Sequence, residues 1–382
     1  MKTLVCLVTE QHVPNLLSVH HFQPLDRLVL VTTPRMVTEN RHRSFLAALG
    51  EGGLAYKLGE NCVAWHVQRE NSVRDVLAEL QRECPGGLEG EWFVNVTGAT
   101  KPMSIAAYTF FRERGARLIY INLPAPDALI DLDTDETERS EHRPGVREFL
   151  RGYGWKVRAK CEPSAWADQT DWQAWWDCAC FIAQRCPACN LVGERKGSRA
   201  RWWQCDDAAI TARVNATLGR SLSVGDDVLG LPAKEREFLE GKWLEAFIAG
   251  LVERARQANE RELWDVRVGV EVERLGDDMD VVVMRQHRLH YAECKSGAQA
   301  GESVHDQLHK IEAKVRKFGT TRATVTTRLV TTSRELVEKP DLRRMADARA
   351  EAYHCRIIDF KAVQQLAERA DDPQWVRDTL FG

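Results

Sequence analysis

The sequence DDMDVVVMRQHRLHYAECKSG at Asp277–Gly297 decides how the C-terminal part of the chain folds. It contains two short apolar runs, Met279–Met284 and Leu289–Lys295, that are separated by polar residues. Such runs predict strands, and the intervening Gln286-His287 pair predicts a turn between them. The stretch is therefore predicted to form a β-hairpin.

Charged side chains converge near the open end of this predicted hairpin. A hairpin centred on the turn places Asp280 opposite Glu293, and side-chain alternation puts Lys295 on the same face as Glu293. Two carboxylates beside an ammonium suit a divalent metal with a lysine that handles protons or stabilises charge. A solvated strand end with a weak Glu–Lys pair would explain the same residues, so the hairpin alone leaves both interpretations open.

Length and composition limit the class of protein. The 382 residues are enough for two domains, and 44% hydrophobic with 29% charged residues is typical of globular proteins. A formal net charge of −3 excludes a chain-wide polycation, so any nucleic-acid surface would be local. The sequence shows no signal peptide and no run long enough to span a bilayer. With eleven cysteines that are expected to be reduced or metal-bound, we expect a cytoplasmic protein without membrane contact.

Predicted strands and helices alternate through residues 1–150. This βαβα order, with strands that are apolar on both faces, predicts an α/β domain with a parallel, doubly wound, Rossmann-like sheet. Such sheets bind ligands beyond the carboxyl ends of their strands. The predicted strands are Thr3–Val8, Arg27–Thr32, Cys62–Val67, Glu91–Val96 and Arg117–Ile121, and the predicted helices are Pro14–Phe22, Pro34–Leu49, Ser72–Cys84 and Pro102–Arg112.

The loop after the fourth predicted strand, NVTGATKPM at Asn95–Met103, has the features of an anion site. Small residues there let backbone amides approach a ligand, Thr100 can cap the next helix, and Pro102 suits its first turn. The helix N-terminus and Lys101 together favour a phosphate. The glycine spacing excludes a Walker loop and a dinucleotide fingerprint, and an ordinary capped loop would explain the same residues.

Two other loops are predicted to lie at the same edge of the sheet. Thr9 and Gln11 follow the first strand and could contact a nucleobase or a sugar. Thr33 follows the second strand, and Arg35 adds a cation beside it. Taken together, the three loops outline a polar, mildly cationic edge.

The motif Asn-x-Thr-Gly-x-Thr-Lys-x-Met at Asn95–Met103 resembles the signature of the CRISPR-associated Rossmann-fold (CARF) sensor domains. Val8–Glu10 with Pro14–Leu17 resembles their first loop and helix, although many members have a second glycine where this chain has Ala99. The resemblance implies a homodimer that binds a cyclic oligoadenylate, with cyclic tetra-adenylate as the family-based expectation. The implied binding residues are Thr9, Glu10, Gln11, Thr33, Asn95, Thr97, Gly98, Ala99, Thr100, Lys101 and Met103.

Residues 151–238 are predicted to connect two domains. Cys186 and Cys189 have the spacing of a zinc knuckle, and Cys205 could supply a third thiolate. Ala208 occupies the position where a fourth cysteine is expected, which makes reduced, buried cysteines the simpler interpretation. A structural Zn²⁺ at these three cysteines remains the alternative.

Residues 239–382 are predicted to fold in the order αβββαβ, with the hairpin as the second and third strands. Its first helix, Glu240–Arg254, carries Glu245 at the margin of an apolar face. The element order, Asp280 and the Glu293-x-Lys295 sequence resemble the restriction-endonuclease-like PD-(D/E)xK nucleases that are fused to CARF sensors.

The nuclease resemblance implies a catalytic role for each of these polar residues. Asp280, Glu293 and the main-chain carbonyl of Cys294 would hold Mn²⁺ or Mg²⁺, and Glu245 would complete the site. Lys295 would orient or deprotonate a water, or stabilise charge on the phosphate. The catalytic set is therefore expected to be Glu245, Asp280, Glu293 and Lys295.

The two resemblances together imply an ancillary effector of type III CRISPR antiviral defence. It would be an endonuclease, activated allosterically by a cyclic oligoadenylate, that hydrolyses phosphodiesters in DNA or RNA. Single-stranded RNA, single-stranded DNA and plasmid DNA all remain candidate substrates. The alternatives are a CARF-linked regulator that only binds nucleic acid, and a ring nuclease that degrades the messenger with help from Thr97 or Lys101.

Overall fold

The fold was analysed in a computed structural model of the chain. It describes residues 1–122, 127–158, 172–185, 191–194, 200–273, 278–296, 303–317 and 325–382. These residues form two compact units, the first mainly Met1–Val157 and the second mainly Arg158–Arg285, Leu289–Lys317 and Val325–Gly382. The predicted three-part division at residues 150 and 238 stays a prediction.

Unit 1 is built on a seven-stranded sheet. Its strands are β1 Lys2–Leu7, β2 Arg27–Thr32, β3 Cys62–His66, β4 Glu91–Asn95, β5 Arg117–Ile121, β6 Ala128–Asp131 and β7 Thr137–Arg139. The first five are parallel in the order β3-β2-β1-β4-β5, and buried residues on both faces of β1 and β2 form the core. This confirms the predicted Rossmann-like sheet. The sequence did not predict β6 and β7, which extend the edge in antiparallel register.

The helices of unit 1 connect these strands largely as predicted. They are α1 Val13–His21, α2 Pro34–Thr38, α3 Arg41–Glu51, α4 Val73–Glu83, α5 Lys101–Arg112 and α6 Val146–Gly152. The single helix predicted over Pro34–Leu49 is wrong, because Asn40 has a φ of 55° and ends the first part. Asparagine tolerates this left-handed conformation better than most residues, so the chain turns there and begins a second helix.

Unit 2 contains a five-stranded sheet in the order β10-β11-β12-β13-β14, and a small hairpin. The hairpin strands are β8 Val192–Glu194 and β9 Arg201–Trp203, and the sheet strands are β10 Leu263–Glu271, β11 Asp278–Arg285, β12 Arg288–Lys295, β13 Val325–Thr331 and β14 Cys355–Ile358. β10 pairs with β11 in antiparallel register, whereas β12, β13 and β14 are parallel neighbours.

Unit 2 also contains helices, some of which pack on this sheet and complete the predicted αβββαβ order. They are α7 Trp172–Arg185, α8 Ala208–Leu218, α9 Ala233–Glu237, α10 Trp243–Ala258, α11 Val304–Lys317, α12 Glu335–Glu338, α13 Pro340–Ala352, α14 Phe360–Glu368 and α15 Pro373–Phe381. The helix predicted from Glu240 begins at Trp243, because Gly241 has a φ of 153° inside the π-helical turn Phe238–Lys242. Trp176 lies in the same core as α10 and donates from Nε1 to the carbonyl of Phe247 at 3.4 Å.

Among the described residues, no helix combines the length and apolar character that crossing a membrane requires.

Candidate functional site

The hairpin of β11 and β12 forms as the sequence predicts. Both strands end symmetrically about Gln286 and His287, whose φ angles are 48° and 61°. Positive φ at both central residues is the geometry of a two-residue type I′ turn, whose twist matches that of the flanking strands. The backbone N–H of Cys294 donates to Oδ2 of Asp280 at 2.6 Å, which fixes that carboxylate against β12.

Lys295 links the two carboxylates of the hairpin. Its Nζ lies 2.6 Å from Oε1 of Glu293 and 3.7 Å from Oδ2 of Asp280. The side chains of Asp280 and Glu293 are almost completely buried, at 6% and 3% exposure, whereas that of Lys295 is 16% exposed. The structure therefore brings these three predicted site residues together in a buried charged cluster.

A second lysine, which the sequence analysis did not single out, completes the surroundings of Glu293. Lys314 of α11 donates from Nζ to Oε2 of Glu293 at 2.9 Å, to the hydroxyl of Tyr291 at 3.1 Å and to the carbonyl of Asp278 at 2.9 Å. Each carboxylate oxygen of Glu293 therefore contacts a different ammonium. The available signal was a lysine beside the apolar stripe of an amphipathic helix, where a buried ammonium requires an acidic partner.

Glu245 on α10 belongs electrostatically to this cluster. Burial, followed by the negative charge of Asp280, raises the pKa of Glu245 well above its ordinary value. Burial and then Glu293 raise the pKa of Asp280 to about 7. Several carboxylates thus share a poorly solvated space, where each disfavours ionisation of the others.

Lys295 is held in its charged form. Burial works against the ammonium, but the charges of Asp280 and Glu293 outweigh burial and raise the pKa of Lys295. Of the roles that the sequence suggested, this favours stabilisation of negative charge over removal of a proton from water.

The donor set of the cluster fits a divalent cation. Asp280 and Glu293 offer carboxylate oxygens, and the main-chain carbonyl of Cys294 is the third donor that the sequence predicts; all are oxygen ligands of the kind that Mg²⁺ and Mn²⁺ prefer. A bound dication would also relieve the repulsion that raises the pKa values of Asp280 and Glu245. The thiol of Cys294 is buried, and burial raises its pKa, so the sulfur itself is not the expected ligand.

Unit 1 has a cavity of about 390 Å³ at the carboxyl ends of its strands. That volume lies within the range of small-molecule binding sites. Nine of the eleven predicted binding residues line it, namely Thr9, Glu10, Gln11, Thr33, Thr97, Gly98, Ala99, Thr100 and Met103. Most of the predicted binding residues thus lie around one cavity, and their role in binding stays a prediction. Its walls also include Arg35, Met36 and Glu70, and Arg35 pairs with Glu10.

Close packing shapes the loop between β4 and α5. A Cβ atom on Gly98 would lie 2.4 Å from Cγ2 of Thr9 and 2.9 Å from the carbonyl of Leu7, so a side chain has no room there. Ala99 has a φ of 74°, a conformation in which an alanine is strained. The hydroxyl of Ser104 donates to the Gly98 carbonyl at 2.8 Å and holds this turn against α5.

Two predicted binding residues do not line the cavity. Asn95 is fully buried, where its Nδ2 donates to Oδ1 of Asn15 and its Oδ1 accepts the N–H of Thr97, both at 3.0 Å. Asn95 therefore stabilises the loop between β4 and α5 through buried hydrogen bonds. Lys101 is exposed at the start of α5.

Of the three cysteines of the predicted zinc site, Cys205 lies in the part of the chain that the structure describes. Cys186 and Cys189 lie outside the described residues. Cys205 is buried, and its Sγ lies 3.9 Å from the Asp207 carbonyl that accepts its weak hydrogen bond. Zinc at these cysteines stays a prediction.

Family models match both halves of the chain. Residues 3–149 match the Card1 CARF domain. Residues 233–375 match the Card1-like endonuclease domain. The chain is a CARF-domain protein with a Card1-like endonuclease domain. No curated protein matches it in sequence.

Solved structures of similar architecture include Can2 from Sulfobacillus thermosulfidooxidans in complex with cyclic tetra-adenylate. It is 18% identical with a TM-score of 0.64, over 98% of this chain and 99% of that one. Protein VC1899 from Vibrio cholerae is 16% identical with a TM-score of 0.72, over 99% and 98% of the two chains. A type III CRISPR defence DNA nuclease activated by cyclic oligoadenylate is 20% identical with a TM-score of 0.55, over 86% of this chain and 45% of that one. At these identities the likeness shows a shared fold.

Proposed function

We propose that this CARF endonuclease is a metal-dependent nuclease of type III CRISPR defence, switched on by a cyclic oligoadenylate. The observation that carries the proposal is the buried cluster of Asp280, Glu293 and Lys295 in the endonuclease domain. The cavity of unit 1, lined by most of the CARF motif, supports the messenger as activator. Cyclic tetra-adenylate is the specific candidate, because it is the ligand of the structurally similar Can2.

The proposed chemistry is hydrolysis of a phosphodiester in DNA or RNA. Asp280, Glu293 and the carbonyl of Cys294 would hold Mn²⁺ or Mg²⁺. Glu245, whose carboxylate interacts electrostatically with that of Asp280, would complete the site. When bound, such a metal lowers the pKa of a water and neutralises charge on the scissile phosphate. The Lys295 ammonium would stabilise the charge that develops on phosphorus, and the Cys294 N–H keeps Asp280 oriented.

A homodimer is the proposed form of the switch. A cyclic ligand with rotational symmetry suits a twofold dimer that offers it two copies of the cavity. Moving such a dimer from mostly inactive to mostly active requires differential binding of about 5 kcal/mol, which a multiply charged ligand can supply. One cyclic molecule is therefore expected per two chains.

Degradation of the messenger inside unit 1 is less well supported. The hydroxyl of Thr97 accepts the N–H of Ile121 at 2.7 Å, and Lys101 does not line the cavity. A purely regulatory role is disfavoured by the complete carboxylate and lysine cluster of the endonuclease domain.

The site assignment is tested by replacing Glu293 with glutamine. Glu293→Gln removes one charge at nearly constant volume, so Mn²⁺-dependent cleavage of labelled single-stranded RNA, single-stranded DNA and plasmid should be lost. Binding of cyclic tetra-adenylate by the same variant should be unchanged. Glu338→Gln, at an exposed position on α12, is the matched control and should cleave normally. Full cleavage by Glu293→Gln would refute the assignment.

A further inference from the structure

Unit 1 contains a histidine–carboxylate cluster that does not line the cavity. His20 lies in the last turn of α1, His142 follows β7, and Glu148 lies on α6. Nε2 of His20 is 3.3 Å from Oε1 of Glu148, and Nε2 of His142 is 3.0 Å from both carboxylate oxygens. The three donor groups lie within 4.8 Å of one another. Three chain segments thus meet at one small group of potential ligands.

The carboxylate of this cluster is buried. Glu148 is only 4% exposed. Its oxygens contact Nε2 of His142 and Nε2 of His20. A buried negative charge requires a compensating cation, because desolvation is otherwise costly. That cation is either a proton shared with a histidine or a metal ion.

The turn that follows α3 packs closely against these donors. Gly52 follows α3, and a Cβ atom placed on it would lie 2.7 Å from Oε1 of Glu148 and 2.8 Å from Nε2 of His20. Both distances are shorter than a van der Waals contact, so only glycine fits where α3 ends against the cluster. Nε2 of His20 is buried and, although it lies 3.3 Å from Oε1 of Glu148, it makes no hydrogen bond of good geometry. The cluster therefore contains a buried imidazole nitrogen whose hydrogen bonding is incomplete, beside a carboxylate oxygen.

We propose that His20, His142 and Glu148 bind one divalent transition-metal ion, Zn²⁺ in particular. Two imidazole nitrogens and one carboxylate oxygen form a ligand set that zinc accepts, with water as the fourth ligand. Ligands about 2.0–2.1 Å from a tetrahedral zinc are about 3.3–3.4 Å apart, close to the donor separations of 3.0 and 3.3 Å. The ion would tie α1 and α6 to the segment that carries His142.

Binding requires one small rearrangement. The rings of His20 and His142 are stacked, with centroids 3.4 Å apart and an interplanar angle of 5°. A nitrogen binds a metal near the plane of its own ring, and two parallel stacked planes do not share such a point. One imidazole must therefore rotate about χ2, which is a broad and soft torsion.

The test is zinc stoichiometry of the full chain. Protein stripped with a chelator is dialysed against Zn²⁺, and His142→Asn and His20→Asn are each expected to bind one equivalent fewer per chain than the wild type. His21→Asn is the matched control, because the neighbouring His21 contacts Glu138 instead and should leave the stoichiometry unchanged. Circular dichroism without metal establishes that each variant is folded.

Co²⁺ separates this site from cysteine ligands elsewhere in the chain. Cobalt at His20, His142 and Glu148 should show d–d bands without thiolate charge transfer, and His142→Asn should abolish those bands. Cys186→Ser should leave them intact. Equal zinc stoichiometry in wild type, His142→Asn and His20→Asn would overturn the proposal and identify the compensating cation as a proton. These outcomes do not depend on nuclease activity.

Discussion

Glu293 is held between two ammonium groups, one of which belongs to Lys314 on α11. Its Nζ is 2.9 Å from Oε2 of Glu293, while Lys295 contacts Oε1 at 2.6 Å. An outer partner of this kind fixes the orientation of a ligand and tunes its charge. We therefore assign Lys314 a positioning role for the proposed metal-binding carboxylate.

Lys314→Met is expected to weaken metal use without unfolding the domain. Loss of the ammonium leaves one oxygen of Glu293 without its cation, and outer-shell changes typically cost about 10- to 100-fold in metal affinity or activity. Cleavage measured across a Mn²⁺ titration should need higher Mn²⁺ and reach a lower maximum. Lys361→Met, at an exposed position on α14, is the control. An unchanged titration would contradict the positioning role.

Ala99 carries local backbone strain at the cavity of unit 1. Its φ of 74° costs an alanine roughly 1 kcal/mol, whereas glycine adopts this conformation freely. Ala99→Gly should therefore raise the free energy of unfolding of unit 1 by up to about 1 kcal/mol, measured by urea denaturation. Ala107→Gly, within α5, should lower it. A loss of stability in Ala99→Gly would show that the loop does not hold this strain.

His12, at the N-terminus of α1, packs against α6 and the residue that follows it, and this contact is expected to make unit 1 sensitive to acid. His12 is 3% exposed and packs on Phe149 and Tyr153, with ring centroids 5.6 and 4.4 Å away. A Cβ on Gly152 would lie 2.2 Å from the His12 ring, so the glycine makes this packing possible. Burial lowers the pKa of His12 from 6.5 to about 3.

The sign of the resulting pH dependence follows from this lowered pKa. Between pH 6.5 and pH 3, His12 is protonated in the unfolded chain but neutral in the folded chain. Its contribution to the free energy of unfolding is therefore present above pH 6.5 and is lost as the pH falls toward 3. The loss attributable to His12 should be about 2 kcal/mol between pH 7 and pH 5. His12→Leu should remove that part of the loss in urea denaturation at the two values. An equal pH dependence of the unfolding free energy in the wild type and His12→Leu would contradict this role of His12.

The sequence predicted the elements whose patterns are strong and local. Five parallel strands and the hairpin follow from apolar runs, and the Gln286-His287 turn fixes the positions of Asp280 and Glu293. The break at Asn40 was missed, because it lies in the polar run Thr38–Ser44, which one continuous helix could also contain, and a single backbone angle decides. β6 and β7 were missed because they are short and pair only with each other and the sheet edge.

The predicted site residues differ in a similar way. Those whose position follows from local sequence could be located, and those whose position depends on packing could not. Residues in one contiguous loop, such as Gly98 and Thr100, could be placed because the loop follows a predicted strand. Lys314 could not, since its contact with Glu293 depends on how α11 packs on the sheet. Asn95 was predicted to bind ligand, but its buried hydrogen bonds show a supporting contact that local sequence does not encode.

At the scale of the whole molecule, the two domains have distinct tasks in the proposed account. The CARF domain has the cavity, and the endonuclease domain has the buried cluster of carboxylates and lysines. A ligand can activate the nuclease only through a difference in its affinity for the inactive and active states. The proposed switch therefore predicts that messenger binding and cleavage are separable by mutation.

The most direct test measures cleavage by the full chain with Mn²⁺, with and without cyclic tetra-adenylate. Single-stranded RNA, single-stranded DNA and supercoiled plasmid are supplied in parallel, and Gly98→Val serves as a variant whose added side chain obstructs the cavity loop. The wild type is expected to cleave little without messenger and strongly with it, and Gly98→Val is expected not to be activated. Equal cleavage of every substrate by the wild type with and without messenger would contradict the switch.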